Sequence, residues 1–258
     1  MVKFIAKRPK SSTSREATGL ARRVKARLVT LGQEALDSDL VWITVPDDAI
    51  AATALQLART QDWKGKIVFH SSGALTSDEL APLRKQGAKV ASLHPGMTFV
   101  RGPAPQMSGV AFAVEGDPAA VRVAKRMVQD LGGTTYAIDK RNKVLYHAFG
   151  SFASPLVVAL MASLERVAKA AGIRPEDVKT MMLPLLRQTL QNYLQHDAAS
   201  AFSGPLVRGD VATVRRHLEK LKAVPEARAV YIALASSAVK NLPVNNRKAM
   251  QRELKSRA

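Results

Sequence analysis

An alternation constrains this chain more than any other feature. Short β-branched runs, "VKFIA", "RLVTL", "DLVWITV", "KIVFH" and "KVASL", are separated by segments of helical spacing such as "DDAIAATALQLAR" and "TSDELAPLRKQG". Strands divided by helices form a parallel sheet covered on its faces by those helices. "VAFAVEGD", a helix from Pro118 to Leu131 and "TTYAI" add one more strand–helix–strand unit. From Asp139 the β signal stops. "NKVLYHAFGSFASPLVVALMASLERVAKAAG" reads as one long helix, kinked near Pro155 and stopped at Gly172, and further helical patterns follow it. The expected architecture is a mostly parallel α/β domain over residues 1–138 and an all-helical module over residues 139–258. Met181, Met182, Leu185 and Leu186 read as core of that module.

Helix starts carry plausible chemistry. Asp47 precedes one helix, Thr76 and Glu79 have capping-box spacing, and Asp117-Pro118 offers a cap with proline at the first position. "FSGPLVRGD" has the punctuation of a sharp inter-helix loop, with Asp210 as cap for the next helix.

In an open sheet of this kind, ligands bind in the crevice beyond the carboxyl ends of the strands. "VPDD", "HSSG" and "SLHPGMTF" each follow a separate strand, so the topology brings three polar loops to one edge. Val45, Pro46 and Asp47 suit backbone packing against a ribose or ring, and Asp47 reads equally well as a helix cap. Ser71, Ser72 and Gly73 combine two hydroxyls with a glycine that admits a ligand closely; the same residues are common turn chemistry. His94 at a strand end can donate to a carbonyl or a cofactor phosphate, or serve as a structural hydrogen bonder. Lys143, Tyr146 and His147 stand three and four apart, which puts Lys143 and His147 on one helical face. That face has two readings: a proton donor to a carbonyl or imine as hydride arrives, or a solvated lysine beside an interdomain hydrogen bond from His147. Arg208 can bind a carboxylate or phosphate bidentately, or pin its loop to a helix end.

Composition removes several classes. The absence of cysteine excludes disulfide scaffolds, thiolate zinc and thiol catalysis. His70 and His94 have no carboxylate at ligand spacing, so no metal is expected. Lys+Arg 39 against Asp+Glu 21 leaves a net charge of +18, concentrated at the two ends. That charge suits polyanions or phosphorylated small molecules, yet no aromatic residues interleave it and no base-reading motif appears, which sets nucleic acid aside as the expected partner. The apolar stretch "SPLVVALMASL" is roughly half of a membrane span, and the first residues lack a leader pattern. A soluble, cytoplasmic protein is expected.

A dinucleotide fold normally opens with a strand and G-x-G-x-x-G, and this chain has no such motif. Its first strand is followed by "KRPKSSTS", where Lys7 and Arg8 stand as the 2′-phosphate of NADP requires at the end of a second strand. The chain therefore reads as starting one strand–loop–helix late, with NADP binding weakened.

"LVWITVPDDAI", "HSSGALTSDEL", "SLHPGMTF", "LYHAFGSFASPLVVAL" and "FSGPLVRGD" together resemble the bacterial family that joins a Rossmann-like NADP-binding domain to the helical domain of unknown function 2520. That family is related to pyrroline-5-carboxylate reductase and the β-hydroxyacid dehydrogenases. The resemblance implies a nicotinamide-dependent oxidoreductase fold, a homodimer formed through the helical domain, and a place for a lysine at the start of the first interdomain helix. The resulting expectation is reduction of a small carbonyl or imine, or oxidation of a hydroxy compound. Lys143 and His147 supply acid–base chemistry in it, His94 and Ser71-Ser72 orient substrate or nicotinamide, Lys7 and Arg8 meet the 2′-phosphate, and Arg208 meets the substrate. The rivals are a non-catalytic dimeric scaffold and a basic nucleic-acid-associated protein.

Overall fold

The computed structural model describes residues 3–6, 18–30 and 36–256. β1 (Lys3–Ala6) and β2 (Arg27–Thr30) pair in parallel, and residues 18–23 between them are helical (α1). A five-stranded sheet follows, in the order β3 (Leu40–Ile43), β4 (Ile67–His70), β5 (Lys89–Pro95), β6 (Ala111–Gly116), β7 (Thr134–Ala137). Only β5 and β6 run antiparallel; the remaining neighbours are parallel, as the alternation requires. The expected Rossmann-like, mostly parallel architecture with a helical C-terminal region is the observed one.

Both faces of the sheet are buried, and the two-residue period sorts its side chains. Val41, Ile43, Val68 and Val90 face α2 (Asp47–Leu57) and α3 (Ala81–Lys85), packing with Ile50, Ala54, Leu57 and Leu83. Phe69, Ala91, Leu93, Phe112 and Val114 face α4 (Pro118–Asp130), where Ala120, Ala124 and Val128 let the helix sit close. Since His70 pairs in register with Ser92, and His94 lies two residues further along β5, all three side chains project from the α2 face. The sheet's own alternation thus aims one serine and two histidines the same way.

Two expected caps find other partners. Asp47 is the first helical residue of α2, with Pro46 at the cap position, and its carboxylate accepts from Ser72 Oγ at 2.7 Å. Asp117 does precede α4, but its carboxylate accepts the Val90 amide at 2.9 Å and the Arg84 guanidinium at 3.3 Å. Thr76 accepts from the Asp78 amide at the start of a 3₁₀ turn, Ser77–Leu80, without the reciprocal capping-box bond from Glu79 among the described contacts. For Asp47 and Asp117 a polar group across the fold outcompetes a local one.

The chain divides into two compact units, Met1–Phe152 and Ala153–Ala258. The first ends with α5 (Lys143–Ala153), which the division cuts at its last residue. The second contains α6 (Pro155–Ala170), α7 (Pro175–Gln195), α8 (Ala198–Ala201), α9 (Pro205–Arg208), α10 (Val211–Lys220), α11 (Pro225–Asn241) and α12 (Arg247–Lys255). The expected single long helix is interrupted at Ser154, where φ is −131° and ψ −83°, one residue before Pro155. Its glycine stop is as expected, with Gly172 at φ +80°. Asp210 caps α10 through the Thr213 amide at 2.9 Å.

The core of the second unit is Val214, Leu218, Ala235, Val239, Met250 and Leu254, stapled by an Arg215–Glu253 ion pair at 2.8 Å. Here a sequence expectation fails: Met181 and Leu185, read as core, are 61% and 71% exposed. Helical spacing marks an apolar face but not what covers it. The run Lys140–Ala170 is likewise long and apolar enough to cross a membrane by length and composition, with mean hydropathy 1.6 and none of that window buried.

Candidate active site

The first unit gathers a polar cluster where β3, β4 and β5 end. Its hub is Ser72. The Ser72 amide donates to His70 Nδ1 at 3.1 Å, and its hydroxyl donates to Asp47 while accepting the amides of Ala74 at 3.2 Å and Leu75 at 2.9 Å. Its carbonyl accepts from Ser92 Oγ at 3.2 Å and from Lys143 Nζ at 2.9 Å.

Lys143 is the one buried residue of α5, at 2% exposure, and it also donates to Ser92 Oγ at 2.5 Å. A solvated lysine at this position is therefore corrected. Burial pushes its pKa down from 10.5 to about 8, against the opposing pull of the Glu115 and Asp47 carboxylates. Glu115 is itself buried and holds the start of the 3₁₀ turn, accepting the Ser77 amide at 2.6 Å and hydroxyl at 2.8 Å.

One turn along α5, Tyr146 reaches His94. The phenol oxygen lies 2.9 Å from Nδ1, and the rings meet edge to face at 85°. His94 is a residue of β5 rather than of the loop after it. Burial lowers its pKa to about 4, helped by the charges of Lys143 and His147 and opposed by Asp47. Burial also raises the Tyr146 phenol. His147 is exposed, with its ring centroid 6.1 Å from that of His94. His70 is held down at about 4 chiefly by burial; its Nε2 contacts the Thr76 carbonyl at 3.0 Å, which makes it structural.

Gly73 explains why this turn needs a glycine. A Cβ there would meet His147 Cδ2 at 2.6 Å and His94 Nε2 at 2.8 Å, so both imidazoles pack against bare backbone. Beside it, Ser71 Oγ accepts from Trp42 Nε1 at 2.7 Å.

The structure therefore brings Asp47, Ser72, Gly73, His94, Lys143 and His147 into one cluster, with Val45 and Pro46 leading into it along the β3–α2 turn. Arg208 is exposed at the end of α9 in the second unit, and Lys7 and Arg8 lie outside the described residues. Among the described residues no group of three or more His, Asp or Glu side chains is placed to hold a metal. Sequence reasoning left out Ser92 and gave Tyr146 no role. Ser92 had no signal beyond its period-two match with His94, whereas Tyr146 was marked by its position between Lys143 and His147.

The Rossmann-like domain pattern matches residues 3–95. The pattern described as domain of unknown function, DUF2520, matches residues 110–238. No curated protein sequence matches the chain. Among solved structures, a candidate NADP oxidoreductase from Bacteroides fragilis superposes with TM-score 0.72 at 19% identity, covering 92% of this chain and 87% of that one. An imine reductase from Myxococcus stipitatus in complex with NADP+ gives 0.62 at 16%, covering 98% and 99%. A pyrroline-5-carboxylate reductase from Coxiella burnetii gives 0.55 at 12%, covering 91% and 87%. At these identities the likeness is one of fold. Since the DUF2520 pattern spans 129 of the 258 residues, counting 110 through 238, the chain belongs to the DUF2520 family, with a Rossmann-like domain ahead of the family's own region.

Proposed function

We propose that this protein is an NADP-dependent oxidoreductase acting on a small carbonyl, imine or hydroxy compound. The observation that carries the reading is a desolvated ammonium, Lys143, sharing a cluster with the imidazoles of His94 and His147 at the carboxyl ends of parallel strands. The solved relatives named for NADP or imine reduction share the fold and support the same reading.

The residues fit the reactive end of the cofactor better than its phosphates. Gly73 sets bare backbone beside the two imidazoles, and the Ser72 hydroxyl, spent on Asp47 and the amides of Ala74 and Leu75, fixes that turn, which suits a nicotinamide and its ribose. α2 opens beside that same turn with Asp47 and Asp48, whose charges repel a phosphate, so its first amides suit a ribose rather than the pyrophosphate. Lys7 and Arg8 remain the expected partners of the 2′-phosphate. NADPH, when bound, supplies the hydride.

This chain's residues supply the rest. Two of the three Lys143 N–H groups hold Ser72 and Ser92, leaving one for a ligand, and a pKa near 8 lets the amine exchange a proton close to neutral pH. His94 and His147 orient the substrate, His147 from the solvent side. Arg208 is assigned to a substrate anion.

A homodimer completes the reading. Val144, Leu145, Phe149 and Phe152 are exposed on α5, and Met181, Leu185, Leu190 and Leu194 on α7. Apolar surface on that scale marks an interface. The second reading, a dimeric scaffold without catalysis, is favoured by the absence of a G-x-G-x-x-G loop from the sequence. Titrating NADPH fluorescence and following its oxidation with small ketones and cyclic imines separates the two. Turnover establishes the reductase, while binding or turnover at no NADPH concentration leaves the scaffold.

A further inference from the structure

Resting on the oxidoreductase reading, we propose that Tyr146 is a positioning residue that locks His94 with its proton on Nε2. A neutral imidazole N–H is then presented to the carbonyl oxygen or uncharged imine nitrogen of the substrate.

The direction of the Tyr146–His94 bond carries the argument. A phenol O–H is a good donor and its oxygen a poor acceptor, whereas the lone pair of a neutral imidazole is a strong acceptor. With the oxygen 2.9 Å from Nδ1, donation by the O–H to a bare Nδ1 is the stronger of the two arrangements. The hydrogen bond at one ring nitrogen decides which of the two carries the proton, so the proton resides on Nε2.

His70 provides an internal contrast. The Ser72 amide can only donate to its Nδ1, and the Thr76 carbonyl can only accept from its Nε2. His70 therefore has the same tautomer, but the backbone fixes it and both nitrogens are spent. His94 spends Nδ1 alone. Its Nε2 has no partner among the described contacts and lies against Gly73, which has no side chain to cover it, with the His147 ring beside both.

Burial and two neighbouring charges keep the donor neutral. Burial together with the Lys143 and His147 charges holds the His94 pKa at about 4, so at neutral pH the ring is imidazole rather than imidazolium. The site then polarises a C=O or C=N by hydrogen bonding, as a preorganised dipole does. Such a donor requires a lone pair. A permanently alkylated iminium has none, which limits this assistance to carbonyls and neutral imines.

The test uses the full chain labelled with ¹⁵N in its imidazoles, the His94 signals being assigned by comparison with His94→Gln. At pH 7 the expected His94 pattern is an unprotonated Nδ1 and a protonated Nε2, changing to averaged tautomers in Tyr146→Phe. A proton on Nδ1 in the unaltered protein, or an unchanged pattern in Tyr146→Phe, overturns the proposal whatever the activity. With NADPH, Tyr146→Phe should lower kcat on ketones and cyclic imines on the order of tenfold to a hundredfold, with KM within about threefold, and leave N-alkyl iminium reduction unchanged. Equal loss on iminium substrates overturns the substrate assignment. A correct tautomer without any NADPH turnover instead defeats the oxidoreductase reading alone.

Discussion

Lys143 Nζ donates to the Ser72 carbonyl at 2.9 Å, which ties the first turn of α5 to the turn after β4 across 71 residues of chain. The lysine is desolvated, and its folded pKa of about 8 lies below the usual 10.5. Between those values the unfolded chain holds more protons, so stability rises with pH from about 8 to 10.5. Lys143→Met should abolish that rise, leave the urea midpoint at pH 7 unchanged or higher, and eliminate reductase activity. Paired urea titrations at pH 7 and 10 and an NADPH assay measure all three.

The two depressed histidines give a second window. His70 and His94 have folded pKa values of about 4 against 6.5, so the unfolded chain takes up protons first as pH falls. Their stabilisation is complete above pH 6.5 and is lost progressively toward pH 4. Urea midpoints at pH 7 and 5 should differ, and His94→Gln should shrink the difference.

Gly73→Ala should cost about 1–3 kcal/mol of stability and displace both imidazoles. Gly150→Ala, in α5 with nothing within 4 Å of its Cβ, should instead gain about 0.5–1 kcal/mol. Thermal unfolding of the two variants checks the opposite signs.

Phe149→Asp and Leu185→Glu replace apolar groups that are 68% and 71% exposed. Light scattering should show a dimer for the unaltered protein and a monomer for the double variant.

Trp42, bonded to Ser71 beside the cluster, should change its emission as NADPH binds, while fully buried Trp63 stays constant. Trp42→Phe should remove the signal.

The sheet was legible because both periodicities are local: the runs around Val41, Val68 and Val90 needed no tertiary information. The placement of the turns followed from topology, and it brought Ser72, His94 and Lys143 together as expected. Depth was not legible. The spacing of Lys143 and His147 gave them a common face, and could not tell that one would be buried and the other exposed. Asp47 and Asp117 were read as caps because a cap is a local pattern, whereas their partners, Ser72 and Val90, lie 25 and 27 residues away. Met181 and Leu185 failed for the same reason.

The six hydrogen bonds that meet at Ser72 leave that turn no independent freedom. Anyone redesigning this site should therefore treat Ser71 to Leu75 as an indivisible block. Variation belongs in the exposed connection from Met97 to Arg101, where Phe99 and Val100 can be exchanged without unsettling the interior.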